Sequence, residues 1–81
     1  MTADIIEKFI DTKADREEPI SIFFKQRNTI TGIFIRHKDY EELKSKNFWR
    51  IVSGTHLEEW KRTRDVNLAR LFSGNDFSKL K

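Results

Sequence analysis

The sequence has no cysteine, a single proline and only three glycines. Without cysteine there is neither a disulfide framework nor a thiolate metal site. A secreted domain of 81 residues would ordinarily need such a staple, so the expected compartment is the cytoplasm. Gly32, Gly54 and Gly74 are isolated, twenty or more residues apart. A dinucleotide or P-loop site needs its glycines close together, and the chain is too short for a doubly wound sheet, so dehydrogenase and nucleotide-hydrolase chemistry is excluded. Long apolar runs are missing too. Met1 to Asp11 has no basic head and no sustained apolar stretch, and nothing elsewhere approaches the ~18 apolar residues of a membrane span. The expectation is a chain neither exported nor membrane-spanning.

Site chemistry is equally sparse. His37 and His56 stand alone, without cysteine or a second histidine at ligand spacing, so no metal site is expected. Glu41-Glu42 and Glu58-Glu59 are adjacent pairs, and neighbours on a helix diverge in direction and cannot share one substrate. The serines have no nucleophile elbow and no evident His-Asp company. No catalytic residue and no cofactor is assigned, and the chain reads as a binding module, not an enzyme.

What is present is a small aromatic-rich core and an uneven charge distribution. Seven Phe, two Trp and several Ile carry much of a hydrophobic fraction of 37%. Large side chains remove the most area from water, and a chain of this size has room for one domain with one modest core. Residues 1 to 20 hold three basic and six acidic side chains, a net −3, whereas the remainder holds 13 basic and seven acidic, a net +6. An acidic leader thus precedes a basic body, which makes an anionic partner worth seeking.

Along the chain, Thr2 is a good helix N-cap, and Ile5, Ile6, Phe9 and Ile10 recur at helical spacing, predicting an amphipathic helix over 3–12. Residues 13–18 are polar, and Pro19 disfavours helix at Glu18, so a linker is expected there before a sheet region over 20–80. Ile20, Ile22 and Phe24 alternate with Ser21, Phe23 and Lys25 as a strand. Gln26-Arg27-Asn28 then turns the chain into a second run, Thr29 to Arg36, in which Gly32 predicts a bend. Asp39 with Glu42, and Thr55 with Glu58, read as capping boxes that start short helical turns. Leu57 and Trp60 would give the second of these an apolar edge. Between them Phe48 to Val52 is a third strand, Val66 to Phe72 a fourth, and Asp76 to Leu80 a final turn that drops Phe77 and Leu80 onto the core. The fold class is therefore α+β: an N-terminal helix and a small, strongly curved antiparallel sheet or small barrel of about four strands.

That order of leading helix, bent Gly32 strand and short later strands is similar to the Sm-like and SH3-like small barrels. The stretches from Asp39 to Val52 and from Asn67 to Phe77 resemble those of short, uncharacterised bacterial proteins of about this length. The resemblance implies a shared fold and no particular activity. No Sm-type RNA-binding motif is present, and no functional residue is carried over from it.

The candidate site is a set of basic residues interleaved with aromatics: Lys25 and Arg27 at the first turn, Arg36 and Lys38 after the second strand, and Lys61, Arg62 and Arg64 at the end of the second short helix, with Tyr40, Trp49 and Trp60 nearby. Charge neutralisation with base stacking is how RNA or single-stranded DNA is held. If both tryptophans fill the core, only the charges remain. The alternative is a protein-interaction or self-assembling module, monomer or small homo-oligomer, using its strand edges or its leading helix.

Overall fold

The computed structural model describes residues 1–12 and 18–81. Helix α1 spans Ala3–Asp11, and the Thr2 hydroxyl accepts from the Ile5 amide at 3.4 Å as its N-cap. Ile6 and Ile10 are buried and Phe9 packs beside them, so the helical spacing of the sequence does face a core. The linker expected over 13–18 lies, but for Glu18, outside the described residues.

Strands β1 (Ile20–Phe24), β2 (Ile30–Ile35) and β3 (Phe48–Ser53) form an antiparallel meander, with α2 (Tyr40–Ser45) between the second and third. A 3₁₀ turn over Gly54–His56 leads into α3 (Leu57–Thr63), and a second over Val66–Leu68 leads into β4 (Arg70–Ser73). A third, Gly74–Asp76, joins β4 directly to β5 (Phe77–Leu80). The sheet has five strands in the order β4-β3-β2-β1-β5, not four, and it is not closed into a barrel. It is nonetheless curled. In a flat sheet four spacings would separate the edge strands by about 19 Å, whereas the four Cα steps from Ser73 to Phe77 reach at most about 14 Å.

Several sequence expectations are corrected by local competition for partners. Asp39 makes no cap bond to α2, because both its carboxylate oxygens accept from Arg50, at 3.1 and 2.5 Å. Thr55 does not cap α3 either: its hydroxyl pairs with that of Ser53, and a 3₁₀ turn intervenes. The fourth strand begins at Arg70 instead of Val66, because the Asp65 carboxylate accepts from the Asn67 amide and winds Val66–Leu68 into a turn. The expected final turn is the strand β5. There Phe24 pairs with Phe77 and Phe23 with Lys79, so Ser78 is a bulged extra residue. The bulge brings both Phe77 and Leu80 to the core, and their spacing of three imitated a helix.

Gly32 is not the site of that irregularity. It pairs in register with Ile20 on one side and Ser53 on the other. A Cβ there would overlap the Val52 carbonyl oxygen, so close backbone approach demands the glycine. The central strands are covered on both faces. Ile6, Ile10, Ile22, Phe24, Trp49, Ile51 and Phe77 belong to a cluster beneath α1, while Ile33, Ile35 and Val52 pack with Leu57 and Trp60 of α3. Two small cores, one on each side of β2 and β3, replace the single core expected.

Candidate nucleic-acid interface

Three of the seven candidate cations are held by local structure. The Arg36 guanidinium donates to Asp11 and lies 5.2 Å from the centre of the Tyr40 ring, which ties the end of α1 to the end of β2. The bond from Asp11 raises the Arg36 pKa. Arg64 is the left-handed cap of α3, with its guanidinium 5.6 Å from the centre of the Trp60 ring. Arg27 stacks over both Phe24, at 5.0 Å, and Phe72, at 5.5 Å. Lys25, Lys38, Lys61 and Arg62 are exposed and make no ion pair among the described residues. Lys25 and Arg27 share the β1–β2 loop, Arg36 and Lys38 follow β2, and Lys61, Arg62 and Arg64 lie on and after α3.

The tryptophans are not available for stacking. Trp49 is 2% exposed and Trp60 8%, and both belong to the cores. The Trp49 indole N–H donates to Asn47 Oδ1 at 2.8 Å. Tyr40 is half-buried, donates to Glu7 at 3.3 Å and stacks edge-on against Trp49. Burial, first, holds its phenol pKa above the usual range. The other perturbed groups are also parts of ion pairs. Asp39 is held below the ordinary carboxylate range by the hydrogen bonds from Arg50, whose own pKa rises in return. Lys44 is raised by its bonds to Glu41 and Glu7. Perturbed titration often marks catalysis, but the Tyr40 shift comes first from burial, and the other four sit in bonds that fasten α1 to the end of β2, α2 to α1, and Asp39 to β3, or that close on α2 itself.

A concavity of about 780 Å³ lies elsewhere, between the β1–β2 turn, the Ser53–His56 turn and β4. Its apolar floor is Ile30, Ile51, Leu68 and Phe72. Around this stand Arg27, Arg70 and His56, with the hydroxyls of Thr31, Ser53 and Thr55 and the amide of Asn67. Among the described residues no carboxylate lines it. Of the sequence candidates only Arg27 is here.

No family model, curated relative or solved structure matches the chain. The site must therefore be read from its own chemistry.

Arg70 and Asn67 were not singled out from the sequence, and His56 was weighed there only as a metal ligand. Arg70 opens β4 opposite Ile51, but the strand expected over Val66 to Phe72 placed it inside an element, away from the element ends where basic residues were sought. The signal that could have found it is the interruption of an apolar run, Leu68-Ala69-Arg70-Leu71-Phe72, by one cation. Arg70 makes no ion pair among the described residues. Among those residues no three His, Cys, Asp or Glu gather where they could hold a metal ion, and no helix is long and apolar enough to cross a membrane.

Proposed function

We propose that this domain is a cytoplasmic binding module that holds single-stranded nucleic acid in the concavity beside β4, with no catalytic chemistry or cofactor of its own. The observation that carries the reading is the lining: two arginines and a histidine, no carboxylate among the described residues, and an apolar floor that includes a half-buried phenylalanine. Arg27 and Arg70 would neutralise phosphates, and an unpaired base would lie against Phe72 and the Arg27 guanidinium plane. Lys25 adjoins the same loop. Arg36, Lys38, Lys61, Arg62 and Arg64 would add long-range attraction without touching the strand in the groove. Kinship with the Sm-like small barrels fits this reading. A leading helix followed by five strands, with the consecutive strands β4 and β5 at opposite edges, is what such a barrel opened along one seam would give.

The test is a fluorescence-anisotropy titration of a labelled single-stranded oligoribonucleotide. With the two phosphate contacts of Arg27 and Arg70, affinity falls at least roughly seven-fold between about 50 and about 200 mM salt. The double substitution Arg27→Ala with Arg70→Ala should flatten that salt dependence by about 1.4 in log–log slope, roughly 0.7 for each lost contact. Absence of binding at the lower salt would sink the proposal.

A second reading, self-assembly, has its own observation. β4 and β5 each have one unpaired edge, and Leu71 and Phe48 are 52% and 40% exposed on adjoining strands β4 and β3. Free edges beside exposed apolar side chains invite a strand from another chain. Sedimentation velocity decides it: a single species at the chain mass of 9.7 kDa at every concentration rules assembly out.

A further inference from the structure

We propose that two copies of this chain join through the open edge of β4, as an antiparallel two-fold pair with Leu71 at the axis. The inference rests on the self-assembly reading above, to which it gives a geometry, and it does not require nucleic-acid binding. The hydrogen-bond phase of β4 sets which groups face the open edge. The Gly74 amide donates to the Asn47 carbonyl at 2.8 Å, one step beyond the Phe48–Ser73 pair. Bonded and non-bonded pairs alternate along an antiparallel ladder. Phe72 and Arg70, opposite Trp49 and Ile51, therefore direct their amides and carbonyls to β3, and those of Leu71 and Ser73 point outward. Among the described residues no backbone bond from another strand or turn reaches either of these two.

Three observations select a second copy as the partner and fix its register. The first is that the two edges of the sheet are unequal. β5 carries the bulge at Ser78, with Lys79 beside it and Lys81 after it, whereas Arg70–Ser73 has no bulge, lysine or proline. Bulges and lysines are devices that keep sheet edges from pairing, so β4 is the edge left open, and in a second copy it meets another β4. The second observation is the face of each side chain. A two-fold axis perpendicular to the sheet keeps inner and outer faces in place, so each residue must oppose one from its own face. Centring the axis on Leu71 does so, and makes Leu71 and the partner's Leu71 a bonded pair in which each amide donates to the other's carbonyl. Each half-exposed leucine side chain then covers the other, with the exposed Phe48 diagonally adjacent on β3. The third observation is charge. This register sets Arg70 opposite the partner's Phe72. Centring one residue earlier would oppose Arg70 to the partner's Arg70, like charges face to face, and centring one residue later would set Leu71 against the partner's Ser73.

The experiment is cross-linking of the full chain, which has no cysteine, so a single introduced thiol can bridge only to the same position of another copy. In the proposed pair the two Leu71 Cα atoms stand about 5.5 Å apart, within the span of a disulfide. Leu71→Cys should therefore be captured as a covalent dimer on mild oxidation. Ser73→Cys, whose counterpart lies roughly 13 Å away along the strand, and Ser78→Cys on β5 should not. Sedimentation velocity of the wild type should show a species at twice the chain mass of 9.7 kDa that dissociates on dilution. Leu71→Asp brings like charges together at the axis and alters a side chain that is exposed in the single chain, so it should weaken the dimer at least about tenfold without unfolding it. A single species at the chain mass at every concentration up to about 1 mM overturns this proposal and the self-assembly reading together. Assembly in which Leu71→Cys fails to cross-link, or in which Ser73→Cys or Ser78→Cys cross-links as readily, overturns the Leu71 pairing alone.

Discussion

The rings of Phe24 and Phe72 lie 5.7 Å apart, centroid to centroid, although two other strands stand between theirs in the sheet. Arg27 covers both rings and so closes the inner side of the curl where the proposed nucleic-acid groove begins. The two kinds of residue should separate in their effects. Arg27→Ala removes exposed cation–π contacts, so its stability loss should stay within about 1 kcal/mol, while affinity for single-stranded RNA falls. Phe72→Ala should weaken RNA binding as well and cost about 2 kcal/mol or more in urea unfolding, because it also removes a ring from the packed edge of the core. Equal, small stability losses with unchanged RNA affinity would show that the aromatic contact has no part in binding.

Gly32 sits in the middle of the central strand with neighbours on both sides, and an added Cβ would meet backbone, the Val52 carbonyl oxygen, with the Ile51 side chain 3.0 Å away. Backbone in the middle of a sheet cannot move aside cheaply. Gly32→Ala should therefore lower stability by about 2–4 kcal/mol, well beyond a surface substitution. Chemical denaturation of the wild type and the variant at matched conditions measures it, and a loss below about 1 kcal/mol would mean that β2 and β3 can separate at this point.

The elements read correctly from the sequence are those whose pattern reports a burial that nothing local disputes. The isoleucines of α1 and the alternation of Ile20, Ile22 and Phe24 are of this kind. Where reading failed, a side chain took a partner other than the one its local pattern offers, or a bulge broke the period. Asp39 had every local feature of a cap, yet Arg50, eleven residues on, holds its carboxylate. Phe77 and Leu80 misled because the bulge at Ser78 breaks the two-residue period. The groove was legible only through Arg27. His56, Asn67 and Arg70 converge through a turn and a curled sheet, and no spacing in the sequence encodes that convergence.

The Asp39–Arg50 pair predicts a pH dependence with a definite sign. The hydrogen bonds from Arg50 lower the Asp39 pKa in the folded state. Between that value and the ordinary one, about 3.9, the unfolded chain binds more protons than the native one, so stability rises with pH across this interval. The contribution is complete above the ordinary value and is lost as pH falls through the folded one. Asp39→Asn should thus lower stability at neutral pH and flatten the acid limb of a thermal-midpoint profile below about pH 4. An acid limb as steep as that of the wild type would assign the dependence to other carboxylates.

Asn47 carries four duties in one residue, and substitutions can separate its backbone conformation from its side-chain bonds. It has a φ of 60°, in the left-handed region, where most side chains are strained. Its Oδ1 accepts from the buried Trp49 indole, and its Nδ2 donates to the Met1 carbonyl at 2.8 Å. Its backbone carbonyl accepts from Gly74, whose own added Cβ would overlap the Asn47 side chain. Asn47→Gly keeps the backbone conformation at no steric cost but strips the indole of its acceptor, which should lower stability by about 1–3 kcal/mol. Asn47→Ala loses the same bond and adds the left-handed strain, about a further 1 kcal/mol. Alanine should therefore be the worse of the two in equilibrium unfolding, although alanine is ordinarily the more stable residue in an unstrained chain. If glycine proves the worse, the positive φ is not a source of strain at this position, and the side-chain bonds alone account for the asparagine.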